Sequence, residues 1–204
     1  MSGSEKMVTS EQRERLLERH RYINVDHDQW YDSVYSDFTE DMREVGIWVD
    51  RMYFSGFWSQ GDGACFEGGF CSSGVYLDHH HKDQYPMIRK LMEVGGYIGT
   101  NCKHTGWYYH ENSTSFSTDH DTFYRLVECP TEFQEKIVDA WDGQLEDEVD
   151  AFEQDVTEQW RTYMQDLYSK LEAEHDYLTS DEAVWEAIVA NELDEDDEEL
   201  EDAA

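Results

Sequence analysis

The apolar residues Val138, Trp141, Leu145, Val149, Phe152, Val156, Trp160, Tyr163, Leu167 and Leu171 follow one another at intervals of 3, 4, 4, 3, 4, 4, 3, 4 and 4. An eleven-residue repeat of this kind averages about 3.67 residues per turn, close to the pitch of a straight α-helix. The stripe therefore stays on one helix face without left-handed supercoiling. Pro130 precedes Thr131, and Thr131 with Gln134 has the spacing of a capping box. Gly143 weakens such a helix without having to break it. A helix with one apolar face must cover that face. Three covers are open: the rest of the chain, the last helix, or a second copy, which makes a homodimer through the 138–171 stripe.

The other face of this helix is acidic. Residues 141–204 hold 24 Asp and Glu against Arg161 and Lys170, a net charge of −22, and the whole 204-residue chain carries −33. A surface of that sign repels phosphates, so direct nucleic-acid binding is excluded, and so is docking on an anionic membrane. No stretch is apolar enough to span a bilayer, and the first twenty residues lack the apolar core of a signal peptide. These features predict a cytoplasmic protein. High charge alone suggests disorder, but 14% aromatic residues supply a core.

Three regions are expected: an α+β body over 1–130, an acidic helical region over 131–193, and a disordered acidic tail over 194–204. In the body, Thr9 and Gln12 form a capping box before a short helix through Leu16 and Leu17. Arg21–Val25 reads as a short strand. Asp26 or Asp28 caps a helix carrying Tyr31, Val34, Phe38, Met42 and Val45, and Gly46 stops it. Ile47–Phe57 and Ala64–Cys71 read as strands joined by the turn Ser59-Gln-Gly-Asp-Gly63. Pro86–Val94 reads as a helix, and Tyr97–Lys103, Trp107–His110 and Thr114–Thr118 as three further strands. The fold class is α+β: an antiparallel sheet with helices packed on one face, then a long acidic helix and a shorter one capped by Thr179 and Glu182.

Cys65, Cys71, Cys102 and Cys129 form no close pair and read as free buried thiols. His79-His-His81 beside Asp78 and Asp83 has metal-ligand chemistry but not metal-ligand spacing, so a solvated turn is expected and no metal or other cofactor. His104, His110, Glu111 and His120 form a second cluster, whose His-Glu pair near a cysteine suggests acid–base or thiol chemistry. No nucleophile elbow, H-E-x-x-H or phosphate loop frames them, and no catalytic residue is assigned. An enzyme or metal-binding protein using these four residues is the second reading. An oligomeric assembly protein, or an acidic protein of a high-salt cytoplasm, is a third; only six lysines occur.

The leading reading is a binding face. Asp142, Glu146, Asp150 and Glu153 follow at 4, 4 and 3, with Glu158 after a gap. Carboxylates four residues apart on a helix lie about 6 Å apart along its axis, near the spacing of successive phosphates. Such a row imitates nucleic acid toward a basic cleft and gives fast, salt-sensitive association. The turn after Phe57 offers Trp58, Gln60 and Asp62 as a second contact, since loops carry recognition and Trp is a preferred hot spot.

The stretch Tyr53-Phe-Ser-Gly-Phe-Trp-Ser-Gln-Gly-Asp-Gly-Ala-Cys-Phe-Glu-Gly68 resembles a segment of small bacteriophage proteins labelled as antitoxins of toxin–antitoxin systems. Tyr108-Tyr-His-Glu-Asn-Ser-Thr-Ser-Phe116 is similar to the same group. The resemblance covers residues 20–125 and leaves the acidic helix as an addition. It implies a phage protein, acting in the host cytosol, that neutralises a host or companion protein. In charge density and helix content alone, the chain also resembles phage DNA-mimic anti-restriction proteins. The expected partner is a basic protein: a nuclease, a restriction or defence factor, or a toxin.

Overall fold

The computed structural model describes residues 8–27, 29–71, 74–93, 96–121 and 131–193, with side chains described outside 121 and 131–142. In chain order the elements are α1 (Ser10–Arg19), α2 (Asp32–Glu44), β1 (Trp48–Ser55), β2 (Gly63–Cys71), α3 (Val75–His80), α4 (Pro86–Glu93), β3 (Tyr97–His104), a 3-10 turn (Glu111–Ser113), β4 (Thr114–Asp121), α5 (Thr131–Leu178) and α6 (Asp181–Ala190). The class is α+β, as the sequence predicts. The chain divides into two compact units, Tyr35–Ser169, and Met1–Val34 with Lys170–Ala204.

In the larger unit the strands form one sheet in the order β1-β2-β3-β4. Every neighbouring pair is antiparallel. Phe66 and Phe70 on β2 share one sheet face because strand side chains alternate. On that face Phe66 meets Phe38 of α2 and Trp160 of α5, and Phe70 stacks on Tyr76 of α3 at 4.5 Å. Phe152 and Trp160 reach Phe70 edge-on, and Phe116 of β4 meets Trp160. Leu145, Val149, Phe152, Val156, Trp160, Met164 and Leu167 are all buried, so the larger unit itself covers this part of the apolar stripe. Val138 and Trp141 lie outside the described side chains.

β1 runs hard against the two glycines of β2. A Cβ on Gly69 would meet Trp48 Cζ2 at 2.4 Å, and one on Gly68 would meet the Trp48 carbonyl oxygen at 2.1 Å. These glycines let β1 cross β2 at the bulge between Val49 and Arg51. Cys65 and Cys102 are buried free thiols, and burial pushes both up to about 12. Cys71, expected to be buried, is exposed where β2 ends. Cys129 lies outside the described residues.

In the smaller unit, Leu16 and Leu17 of α1 pack on Val184 and Ile188 of α6, flanked by Ile23, Trp185 and Leu193. Both partners of the Thr9/Gln12 capping box are in place. Arg21–Val25 is a run of turns instead of a strand. Local bonds from Ile23 N–H to the His20 carbonyl and from Val25 N–H to the Tyr22 carbonyl satisfy it. Arg21 also donates to the Thr179 carbonyl at 3.0 Å and to Asp181 at 2.5 Å. α2 starts at Asp32, later than a cap at Asp26 implies, and Asp28 lies outside the described residues. α6 is capped by Ser180, whose Oγ accepts the Ala183 N–H at 3.3 Å. Thr179, the expected cap, instead donates its hydroxyl to the His175 carbonyl at 2.8 Å and finishes α5. The Thr131/Gln134 box lies outside the described side chains, and the 194–204 tail outside the described residues.

Candidate functional site

The acidic row is carried by the part of α5 whose other side is buried on the sheet. Asp142 lies outside the described side chains. Glu146 is mostly exposed, with one oxygen 3.6 Å from Nε2 of His120. Asp150 and Glu158 are exposed. Glu153 is half-buried and accepts the Thr118 N–H of β4 at 2.9 Å. Glu153 therefore ties α5 to the sheet, and the outward charge comes from Glu146, Asp150 and Glu158.

One carboxylate on this helix has a role that its sequence position does not signal. Glu148 Oε2 accepts the N–H groups of Met87 at 2.8 Å and Ile88 at 3.2 Å. These are free donors of the first turn of α4, whose first residue is Pro86. A carboxylate there caps the helix and meets the positive end of its dipole. The Tyr85 hydroxyl donates to Asp155 close by.

The turn after β1 is organised by Asp62. Its Oδ2 accepts the N–H groups of Trp58 at 2.9 Å and Ser59 at 2.6 Å. Trp58 is 74% exposed, and Gln60 is exposed beside it. Trp107–His110, expected as a strand, is a loop against this turn. A Cβ on Gly61, whose φ is +107°, would lie 3.4 Å from the Tyr108 ring. Tyr109 stacks on Tyr53 at 5.1 Å and 12° between planes. The loop is braced by His104 Nε2 at 3.1 Å from the Tyr108 carbonyl and by Thr105 N–H to the Ser113 carbonyl at 2.8 Å. Trp107 stands 98% exposed and Tyr108 65%. Sequence reasoning missed these two. The available signal was the likeness of Gly-Phe-Trp at 56–58 to Gly-Trp-Tyr-Tyr at 106–109.

The structure does not gather the four residues with acid–base potential. His110 Nδ1 sits 2.8 Å from Glu111. His104 pairs opposite Thr114, whereas His120 pairs opposite Ile98, six residues further along β4. That separation is about 20 Å at the rise of a strand. Among the described residues, no group of three or more His, Cys, Asp or Glu could hold a metal ion. His79 and His80 end α3 in place of the expected solvated turn, and His81 follows it, buried. His80 Nε2 lies 2.8 Å from the Tyr163 hydroxyl. Burial, with His79 and His81 alongside, pushes the His80 imidazole down to about 4. His80, His81, Gln84, Asp155, Glu158, Gln159 and Thr162 line an open cavity of about 370 Å³.

Among the described residues, no helix is long and apolar enough to cross a membrane. No curated protein and no solved structure matches the chain. Residues 30–181 match a protein family, and they span the sheet, α2 to α5 and the paired aromatic loops. The chain thus belongs to the family described as "Domain of unknown function (DUF8835)".

Proposed function

We infer that the protein acts by binding, without catalysis, to a basic nucleic-acid-handling protein: a nuclease, a restriction or defence factor, or a toxin. Its carboxylates stand in for phosphates and occupy the partner's cleft. The observation that carries this reading is the exposed Glu146, Asp150 and Glu158 on a helix whose opposite side is fixed in the sheet's core. A charged surface held by a core meets a cleft without first being ordered, which favours affinity. The −33 charge speeds encounter with a cationic partner and repels nucleic acid itself. The resemblance of Tyr53–Gly68 to phage proteins labelled antitoxins supports a neutralising role in a host cytosol.

The test begins with affinity purification of the full chain from host cells. The partner recovered is then titrated with and without DNA. Binding should compete with DNA and weaken steeply between 0.05 and 0.5 M salt, as expected for about 10 Å screening at 0.1 M. The variant Asp142→Asn, Glu146→Gln, Asp150→Asn and Glu158→Gln leaves Glu153 and Glu148 in their structural bonds. It should lose about tenfold or more in affinity, on the order of 1.4 kcal/mol. Unchanged affinity in that variant, or binding indifferent to both salt and DNA, refutes mimicry.

A further inference from the structure

Loops 56–62 and 105–113 lie side by side at one end of the sheet and share an unusual make-up. They read Gly-Phe-Trp-Ser-Gln-Gly-Asp and Thr-Gly-Trp-Tyr-Tyr-His-Glu-Asn-Ser. Tyr, Trp, Ser, Gly and Asn are the residues from which adaptable recognition loops are built. Aromatic rings give large contact area at low entropy, and small polar residues give hydrogen bonds. Trp107 is 98% exposed and the adjacent Tyr108 65%, Tyr108 faces Gly61 of the first loop, and Trp58 on that loop is 74% exposed. Clustered exposed aromatics mark an interaction surface.

The backbone beneath these rings is fixed. Asp62 holds the first loop through two N–H groups. In the second, the Tyr109–Tyr53 stack, the His104–Tyr108 contact and the Thr105–Ser113 bond hold three separate points. The Asn112 N–H to His110 Nδ1 contact at 3.1 Å adds a fourth. A partner therefore meets rings already in place, and less ordering entropy opposes binding.

Charge selects the occupant. Neither loop contains Lys or Arg, and their formal charges are the carboxylates of Asp62 and Glu111. A second copy of this −33 chain, an anionic bilayer and a nucleic acid are all repelled. Exposed indole and phenol faces attract cations, and the planar guanidinium stacks on them better than an ammonium does. We propose that Trp58, Trp107 and Tyr108 form a docking surface that stacks against arginine side chains of a basic protein partner. This site uses residues other than the acidic row on α5, and it rests on the reading that the partner is a basic protein.

The probe is a twelve-residue peptide of alternating Arg and Gly, with Lys and citrulline versions as comparisons. The full-length chain is titrated at 0.05 M and 0.5 M NaCl, with NMR detection of the indole N–H signals. At 0.5 M salt long-range attraction is screened to a few ångströms, and stacking remains. There the Arg peptide should move the Trp58 and Trp107 signals and bind at least fivefold tighter than the Lys and citrulline peptides. The double variant Trp107→Ala/Tyr108→Ala should weaken it about tenfold. Both positions are exposed, so the variant should keep the wild-type urea midpoint. Glu146→Gln/Asp150→Asn/Glu158→Gln should leave binding at 0.5 M unchanged and weaken it at 0.05 M. Equal binding by Trp107→Ala/Tyr108→Ala and wild type at 0.5 M, equal affinity for Arg and Lys peptides, or unmoved indole signals overturns the proposal. If the aromatic variant is silent while the acidic variant is weakened at low salt, the docking surface fails and the acidic helix stands. The reverse pattern removes the acidic helix and keeps the docking surface.

Discussion

Replacing Glu148 with alanine isolates a single long-range cap. The side chain sits on α5 and accepts two N–H groups from the first turn of α4, at 2.8 and 3.2 Å. Met87 and Ile88 are themselves buried, so water cannot readily take over as acceptor. Each lost bond to a charged acceptor costs about 1–1.5 kcal/mol at a half-buried site. Alanine returns a few tenths through helix propensity and relief of like-charge repulsion, about 0.5 kcal/mol in all. The net loss is about 2 kcal/mol, which moves a urea midpoint down by roughly 1 M for a slope of about 2 kcal/mol/M. Glu148→Gln keeps a carbonyl acceptor and should lose about half as much. Asp147→Ala is the control: same helix, same charge, but an exposed side chain, for which about 0.5 kcal/mol or less is expected. Amide hydrogen exchange gives a local readout, since Met87 and Ile88 should lose protection in Glu148→Ala ahead of the sheet. If Glu148→Ala and Asp147→Ala unfold at the same midpoint, Glu148 is not a cap and the argument from its two bonds is wrong.

Trp160→Ala empties the point where Phe66, Phe70 and Phe116 meet. It should cost about 3–5 kcal/mol by urea unfolding. Gly68→Ala drives a methyl against the Trp48 carbonyl, 2.1 Å away, and backbone cannot rotate aside. A loss of about 3 kcal/mol or loss of folded yield is expected, against a small effect for Gly143→Ala, whose Cβ meets nothing within 4 Å. His80 has a folded pKa of about 4 against an ordinary 6.5, so the unfolded chain binds the proton more readily. Its contribution is complete above pH 6.5 and is lost as pH falls toward 4. Urea midpoints measured across that window should fall less steeply in His80→Gln than in wild type.

The helices were legible where one physical signal dominated. The 3,4,4 register of α5 survives because burial alone sets it, and every described residue from Leu145 to Leu167 in that register is buried or half-buried. The Thr9/Gln12 cap was legible because both its bonds are local. Thr179 and Ser180 were not separable, since adjacent hydroxyls compete for one cap and the exact end of α5 decides. Trp107–His110 misread as a strand because β-propensity reports a half-buried pleated surface, whereas the Trp107 and Tyr108 rings here are exposed. Along the acidic helix, the sequence could not distinguish Glu153 of the row, or Glu148 outside it, from Glu146 and Asp150. Spacing places all four on the helix, but only the fold shows which carboxylates meet backbone donors.

The outer strands of the sheet add a constraint on recognition. A strand edge normally offers a ladder of free amides and carbonyls that another chain can extend. Here β1 is kinked by a bulge between Val49 and Arg51, and on β4 the Thr118 amide is already bonded to Glu153. Asp119 places further negative charge on β4. Strand addition by a peptide, or edge-to-edge growth between copies, therefore meets an interrupted ladder on one side and a plugged, charged one on the other. Concentrated solutions should accordingly resist sheet-mediated aggregation.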